Sequence, residues 1–135
     1  MSTSVSVRGM TETELEIIFS NADKFCESIK TAVEVELNFG IEGVRWTDGF
    51  INRNRDRWSE ENKHLYLYAI GAYFGECLRQ RFKGVWVYHQ EFGPGVKHTT
   101  GIEFPFNKVR KQISGEDGAS ILGMYEVAIS LDKLL

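Results

Sequence analysis

The sequence of 135 residues has few of the features that mark secreted, membrane-bound or metal-binding proteins. It contains two cysteines, Cys26 and Cys77, which lie far apart, so neither a disulfide framework nor a Cys-x-x-Cys zinc site is expected. No apolar run approaches the roughly 20 residues that a membrane-spanning helix needs. Residues 1–10 are polar, unlike a secretory signal. We therefore predict a reduced, cytoplasmic protein that does not enter a membrane.

The chain also lacks a strong charge of either sign. Its 16 Lys and Arg residues against 19 Asp and Glu residues give a net charge of −3, and such a field weakly repels a polyanion. Nucleic acid would have to be held by a local basic patch, so it is not the expected partner. The acidic balance suits a basic protein partner better.

The residue patterns of common active sites and cofactor sites are absent as well. The three histidines, His64, His89 and His98, have no partner at the spacing of a zinc site, so no metal is predicted. The glycine-rich stretches 93–95 and 115–118 do not follow the strand, loop and helix order of a phosphate-binding loop. For Cys77 we expect a buried, unreactive thiol. No catalytic residue and no cofactor is predicted.

Apolar and aromatic residues, in contrast, are plentiful. Hydrophobic residues make up 42% of the chain and aromatic residues 13%. A chain of this length and composition forms one hydrophobic core. We predict a flexible lead over residues 1–10 and a single domain over residues 11–135.

Helical patterns dominate the first half of the chain. Thr11 and Glu14 form a capping box, and apolar residues then recur at three- and four-residue steps up to Val33. A break at residues 20–23 would divide this helix, but a single helix is the preferred interpretation. Gly40 and Gly43 are expected to end it.

Two further helices are predicted before residue 84. A short one begins at Thr47 or Asp48, whose side chains can accept hydrogen bonds from the first amides of a helix. Ser59 caps the next helix, which is apolar over most of its circumference and should be central. Gly71 and Gly75 lie on one face of it, where missing side chains let another backbone approach closely.

The second half of the chain predicts short strands followed by helices. Residues 85–88 favour a strand, Gly93-Pro94-Gly95 marks a turn, and residues 96–98 and 102–104 continue an antiparallel hairpin or three-stranded sheet. Pro105 fits the first turn of a helix, and Ser120 begins a last one. The prediction is one compact α+β domain with helices at both ends of the chain.

Several motifs follow one another within residues 46–125: Asn52-Arg53-x-Arg55-x-x-Trp58, Gly71-Ala72-Tyr73-Phe74-Gly75-Glu76-Cys77, Gly84-x-Trp86 and Phe104-Pro105-Phe106-x-Lys108-Val109-x-Lys111. Their order and spacing resemble those of a bacterial family of domains of unknown function. The resemblance implies a fold and a bacterial origin, but no activity. The structural motif residues that the resemblance implies are Trp58, Gly71, Gly75, Glu76, Pro105, Phe106 and Lys108. The small, single-domain format is also similar to that of immunity proteins, which neutralise bacterial toxins.

The hairpin is the first candidate partner-binding surface. Strand alternation places Trp86 and Tyr88 on one face, with Glu91 near the turn, and aromatic side chains are favoured anchors in protein interfaces. Coverage of both faces by helices is an equally open alternative.

Arg53 and Arg57 form a second candidate surface. They lie one helical turn apart, and Trp58 offers a stacking surface beside them. This arrangement could bind phosphate groups of a nucleic acid. A solvated helix face is the plainer interpretation, because several acidic residues are close in sequence.

Glu76 needs a partner, because it is an acid in an otherwise apolar helix. Lys108, Arg55 and the hairpin amides are the candidates, and a structural ion pair or capping bond is the expected role.

Three functions compete on these patterns. The preferred one is a non-enzymatic protein-binding module, most specifically an immunity-type protein that neutralises a bacterial toxin. A small-ligand binder or enzyme would need a pocket between the central helix and the hairpin, formed by Glu76, His89, Tyr73 or Lys108. A nucleic-acid-associated protein would use the Arg45–Trp58 segment. The sequence leaves the oligomeric state open.

Overall fold

A computed structural model describes residues 6–135 of the chain. These residues form five α-helices, one 3-10 turn and four strands. In chain order they are β1 (Val7–Gly9), α1 (Glu12–Val33), α2 (Ile41–Asn54), the 3-10 turn (Arg55–Arg57), α3 (Glu60–Phe82), β2 (Val85–His89), β3 (Gly93–His98), β4 (Gly101–Glu103), α4 (Pro105–Ile113) and α5 (Ile121–Lys133). The predicted α+β class is confirmed.

Helix α1 is continuous, as preferred from the sequence. Thr11 Oγ1 accepts the Glu14 N–H at 3.2 Å and Glu14 Oε1 accepts the Thr11 N–H at 2.8 Å, so the predicted capping box is present. The helix ends at Val33, because Glu34 takes a left-handed conformation with a φ of +58°. The prediction that Gly40 and Gly43 end it is therefore wrong.

Helix α2 begins earlier than predicted. The Asn38 side-chain oxygen accepts hydrogen bonds from the backbone N–H groups of Gly40 at 3.0 Å and Gly43 at 3.1 Å, and this caps the helix from outside. A Cβ atom at Gly43 would lie 2.2 Å from the Asn38 carbonyl oxygen, so the close approach of Asn38 to the helix requires glycine at this position. Thr47, a predicted start, is buried inside the helix.

Asp48, the other predicted start of α2, caps a different helix. Its Oδ1 accepts hydrogen bonds from Gln112 Nε2 at 2.9 Å, Ser120 Oγ at 2.8 Å and the Leu122 N–H at 3.2 Å. Gln112 is fully buried, and its Oε1 accepts the Ile121 N–H at 2.8 Å. This polar network joins α2, α4 and the first turn of α5.

Helix α3 runs through the centre of the fold, and every residue from Ile70 to Leu78 is buried. Two aromatic rings reach its backbone at the glycines. A Cβ atom at Gly71 would lie 2.3 Å from the Phe106 ring, and one at Gly75 would lie 2.1 Å from the Trp86 ring. The close contact is as predicted, but aromatic rings make it rather than a second backbone.

The strands pair in the order β1-β2-β3-β4, and every pair is antiparallel. Val7 pairs with His89, so the prediction of a flexible lead over residues 1–10 is wrong for β1; residues 1–5 lie outside the described part. The predicted turn at Gly93-Pro94-Gly95 is also wrong. That stretch is the start of β3, and residues 90–92 form the turn before Gly93, whose φ is +77°.

The remaining helix boundaries agree with the prediction. Ser59 and Ser120 accept the N–H groups of Asn62 at 3.1 Å and Gly123 at 3.0 Å, which caps α3 and α5. Pro105 is the first residue of α4. Within residues 6–135, no helix is both long enough and apolar enough to cross a membrane.

Candidate functional site

An open cavity lies at the junction of α1, α3, α4 and the β2–β3 hairpin, and we call it the apolar groove. Its lining residues are Met10, Glu14, Ile17, Ile18, Asn21, Leu67, Tyr68, Phe92, Pro94, Phe106, Asn107 and Arg110. The volume is about 370 Å³, which is within the range of natural binding sites. Most of the lining side chains are apolar.

Three large apolar side chains line the groove and remain exposed to solvent. Ile17 is 57% exposed, Tyr68 49% and Phe92 50%. Ile17 precedes the buried Ile18 on α1, so it lies at the edge of the face that packs into the core. The three residues come from distant parts of the chain, and only the folded structure brings them together.

The tip of the hairpin holds Phe92 in position. His89 Nδ1 accepts hydrogen bonds from the backbone N–H groups of Glu91 and Phe92, both at 3.1 Å. The His89 ring also stacks on the Phe92 ring at a centroid distance of 4.8 Å. From α4, Asn107 Nδ2 donates to the Phe92 carbonyl oxygen at 3.3 Å. The backbone of Phe92 is therefore held by His89 and Asn107, and its exposed ring packs on the His89 ring.

The glycine-notched face of α3 also shapes the groove. Phe106 lines the groove and is half-buried, with its ring against Gly71 and 6.2 Å from the Tyr68 ring. A side chain at Gly71 would displace the Phe106 ring. Gly71, one of the structural motif residues, therefore shapes the groove by leaving room for the Phe106 ring.

Glu14, the acidic residue that lines the groove near Met10, already has hydrogen-bond partners within the protein. Arg8 donates to both carboxylate oxygens of Glu14, at 2.9 and 3.0 Å, and the Thr11 N–H adds a third hydrogen bond. The hydrogen bonds from Arg8 are the main cause that lowers the pKa of Glu14 to about 2. Glu14 is thus ionised and paired near neutral pH.

A second cavity, which we call the basic pocket, adjoins the apolar groove. Glu60, Lys63, His64, Leu67, Arg110, Ile113 and Ser114 line it, and its volume is about 330 Å³. Leu67 and Arg110 line both cavities, so the groove and the pocket are neighbours on the surface.

Trp86 is not the exposed anchor that the sequence predicts. It is 3% exposed, and its Nε1 donates to Glu76 Oε2 at 2.8 Å. The prediction is wrong because Gly75 leaves room for the Trp86 ring against α3. The neighbouring Val87 is buried as well, so both faces of β2 are covered at these two residues, in agreement with the alternative left open by the sequence.

The other predicted hairpin residues are accessible but lie outside the apolar groove. Tyr88 is half-buried, and the Arg8 guanidinium from β1 lies 4.5 Å from its ring centre. Glu91 is exposed at the hairpin tip. Tyr88 shares a face of β2 with Trp86, but because Trp86 is buried the three residues do not form one exposed surface.

Arg53 and Arg57 also lie away from the groove. Helix α2 ends between them, so they are not on one helical face as predicted. The Arg53 guanidinium lies 6.0 Å from the Trp46 ring centre, and Arg57 donates to the Arg53 carbonyl oxygen at 3.4 Å. Trp58 is half-buried and stacks on Tyr66 at 4.2 Å, which occupies one of its ring faces.

Glu76 forms the structural ion pair that was expected, but with different partners. Arg79 donates to its two carboxylate oxygens at 2.7 and 2.8 Å, in addition to the bond from Trp86. The predicted partners Lys108 and Arg55 are wrong. Arg55 instead donates to a backbone carbonyl oxygen of α4 at 2.9 Å.

The four residues predicted for a pocket between the central helix and the hairpin do not line the apolar groove, which lies between these elements. Glu76 and Tyr73 are buried, and the Tyr73 hydroxyl donates to the Asn38 carbonyl oxygen. Burial raises the pKa of Tyr73 well above its usual range. His89 binds its own loop, while Lys108 lines a separate cavity beside α5. These four side chains therefore do not converge.

The cysteines and histidines show no reactive arrangement. Burial raises the pKa of Cys26 to about 11 and also raises the pKa of the fully buried Cys77, which disfavours both thiolates. Across residues 6–135, no group of three or more His, Cys, Asp and Glu side chains could hold a metal ion.

Sequence reasoning missed the apolar groove. A weak signal exists, because Ile17 and Tyr68 are large apolar residues outside the apolar stripes of their helices. Leu65 gives the same signal and is 62% exposed, yet it does not line the groove. The signal alone therefore does not locate the site.

Comparisons with known proteins bear on the fold alone. No protein-family model matches the chain, and no curated protein matches it. A crystal structure of a protein from Bacteroides thetaiotaomicron VPI-5482 has a similar fold, with a TM-score of 0.67 and 11% sequence identity. The match covers 96% of this chain and 48% of that one, so this chain spans about half the length of that protein. The resemblance to uncharacterised bacterial domains stays a prediction.

Proposed function

We propose that the protein is a non-enzymatic protein-binding module that holds a segment of its partner in the apolar groove. The convergence of the exposed residues Ile17, Tyr68 and Phe92 on one groove supports the proposal most. Single exposed apolar side chains are ordinary, whereas a contiguous set marks an interaction site. Tyr is also enriched among the residues that anchor protein interfaces.

The shape of the groove favours a polypeptide segment over a small molecule. Small-molecule sites enclose most of the ligand, whereas this groove is open and adjoins the basic pocket at Leu67 and Arg110. Grooves between helices bind amphipathic helices or extended segments through a few apolar anchors. The groove has the walls for such a segment on α1, α3, α4 and the hairpin.

In its finer form, the proposal is that the partner is a bacterial toxin, which this protein neutralises as an immunity protein. The support is the similarity in size and single-domain format. A net charge of −3 would also speed the encounter with a basic partner.

The test compares matched surface variants. Ile17→Asn and Phe92→Asn alter the groove, while Leu65→Asn changes an equally exposed apolar residue outside it. The wild-type protein is purified from the native cell, and any equimolar companion is identified and produced separately. We expect its binding to weaken at least about tenfold in the groove variants and to stay unchanged in Leu65→Asn.

Circular dichroism and thermal melting establish that each variant is folded. Unchanged binding by both groove variants would show that the partner docks elsewhere, and the lack of any equimolar companion would contradict the binding function. For the toxin form, expression of the companion alone should stop growth. Growth should return with the wild-type protein but not with Ile17→Asn.

A further inference from the structure

We infer that the partner segment held in the apolar groove carries a carboxylate beside its apolar side chains, and that Arg110 binds this carboxylate. The inference rests on the proposed function and specifies the chemistry of the partner. Arg110 is placed for this role because it lines both the groove and the basic pocket.

The Arg110 guanidinium has little else to bind. No salt bridge of Arg110 occurs within residues 6–135, and its side chain makes one long hydrogen bond, from Nη2 to Asn107 Oδ1 at 3.5 Å. A guanidinium has five N–H donors in a planar fork that matches a carboxylate. Most of that capacity faces solvent, since Arg110 is exposed.

The surroundings of Arg110 favour an anion. In the basic pocket, Lys63 Nζ lies 3.4 Å from Glu60, whose side chain is 92% exposed, so their pairing is weak. The pocket follows the first turns of α3, where the helix dipole is positive. At the opposite end of the groove, Glu14 is already paired with Arg8. Among the remaining charged residues that line this surface, Lys63 and Arg110 outnumber Glu60, so the local charge is cationic.

Helix-dipole compensation does not by itself account for Arg110. Arg110 and Lys111 both lie in the last turn of α4, where cations offset the negative helix end. Of these two residues, Arg110 lines both cavities and Lys111 lines neither, which makes Lys111 a matched control. The acidic net charge of the protein does not conflict with this, because net charge acts on the encounter while Arg110 acts in contact.

The occupant is accordingly a partner segment with apolar anchors followed by Asp or Glu. The apolar side chains would contact Ile17, Tyr68 and Phe92, and the carboxylate would reach Arg110. This combination of an apolar groove and an arginine at its end discriminates against segments that carry a basic residue at that position.

The experiment selects random dodecapeptides, displayed on phage, against the wild-type protein, Arg110→Glu, Lys111→Glu and Ile17→Asn. Wild-type and Lys111→Glu baits should enrich peptides with apolar residues and an acid. The Arg110→Glu bait should enrich peptides that carry Lys or Arg in place of the acid. The Ile17→Asn bait should not enrich such apolar peptides. Thermal melts establish that every bait is folded.

A synthetic version of the most enriched peptide then gives the affinity by fluorescence anisotropy. Replacing the acid of the peptide by the amide should weaken its binding to the wild-type protein about fivefold. The amide peptide should bind Arg110→Ala no more weakly than it binds the wild-type protein. Enrichment that depends on Ile17 but shows no acid preference, or an acid preference that survives Arg110→Glu, overturns this inference and leaves the groove function standing. If no enriched peptide depends on Ile17, both this inference and the proposed groove function are overturned.

Discussion

Glu76 shows how one charged residue can determine the packing of a core. Its side chain is 7% exposed, and three hydrogen bonds from Arg79 and Trp86 replace its hydration. Burial of a carboxylate is tolerated only with such partners. Since the Trp86 ring lies on Gly75, the same bonds fix the hairpin against α3.

Removing the Glu76 carboxylate should therefore destabilise the whole domain. We expect Glu76→Ala to lower the free energy of unfolding by about 3 kcal/mol, because it leaves the buried Trp86 N–H without an acceptor. Glu76→Gln retains an acceptor oxygen and should cost about half as much. Urea unfolding followed by tryptophan fluorescence measures both values. Glu16→Ala, at an exposed position on α1, is the control and should change stability by less than about 0.5 kcal/mol.

Equal stability of Glu76→Ala and the wild-type protein would contradict this account of the residue. The sequence predicts that Glu76 needs a partner, but it does not identify which one. Arg79 lies three residues further along the same helix, and that local pairing was available without any other element. The bond to Trp86 depends on how the hairpin packs, which residue spacing does not reveal.

At the scale of elements, α3 depends on two glycines with different neighbours. The Phe106 ring beside Gly71 is half-buried and has room to move toward the apolar groove. The Trp86 ring beside Gly75 is buried and held by a hydrogen bond. Alanine at the two positions should therefore have unequal effects.

We predict that Gly75→Ala lowers the free energy of unfolding by about 2 kcal/mol and Gly71→Ala by less than about 1 kcal/mol. Overpacking costs roughly 1–3 kcal/mol, against a helix-propensity gain of about 1 kcal/mol for alanine. Gly123→Ala in α5 is the control, because its Cβ would meet nothing nearer than 3.5 Å and should stabilise the protein slightly. Chemical denaturation measures the series. A loss at Gly71 as large as that at Gly75 would refute the difference in ring mobility.

The elements that sequence predicts well are those whose signals are local. The capping box at Thr11 and the serine caps of α3 and α5 involve residues three positions apart, and these helix starts were predicted. The start of α2 was missed, because its cap is the Asn38 side chain in the preceding loop. Strand β1 was missed because only pairing with β2, across most of the chain, makes it a strand.

Pro94 shows why the predicted turn is part of a strand. Proline lacks an N–H and is tolerated where a strand has a free edge. Strand β3 pairs with β4 only from Val96 to His98, so at Pro94 it has β2 as its neighbour on one side. The glycine and proline composition that indicates a turn is thus also compatible with this edge position.

At the scale of the whole molecule, the apolar groove lies beyond prediction from local pattern. Its exposed apolar residues belong to α1, α3 and the hairpin, and Arg110 belongs to α4. Each residue by itself resembles an ordinary surface residue, and their shared surface arises only when these elements pack around α3. The fold class could be predicted because it depends on element types, whereas the site depends on their relative placement.

The central position of α3 predicts the distribution of stability over the molecule. α3 packs against α1, α4 and β3, and its residues Ile70–Leu78 are all buried. Their backbone amides should exchange with solvent only when the whole domain unfolds. β1 is a three-residue edge strand with exposed side chains, so its amides should exchange through local opening.

Native-state hydrogen exchange in increasing, sub-denaturing urea measures this difference by mass spectrometry. We expect the α3 core peptide to exchange with the free energy and urea dependence of global unfolding, and β1 with a smaller value of each. The exposed C-terminal turn of α5 is the internal control for fast exchange. Exchange of the α3 core ahead of global unfolding would show that the groove lacks a rigid base. A rigid base matters because Tyr68 and Leu67 reach the groove from the same helix.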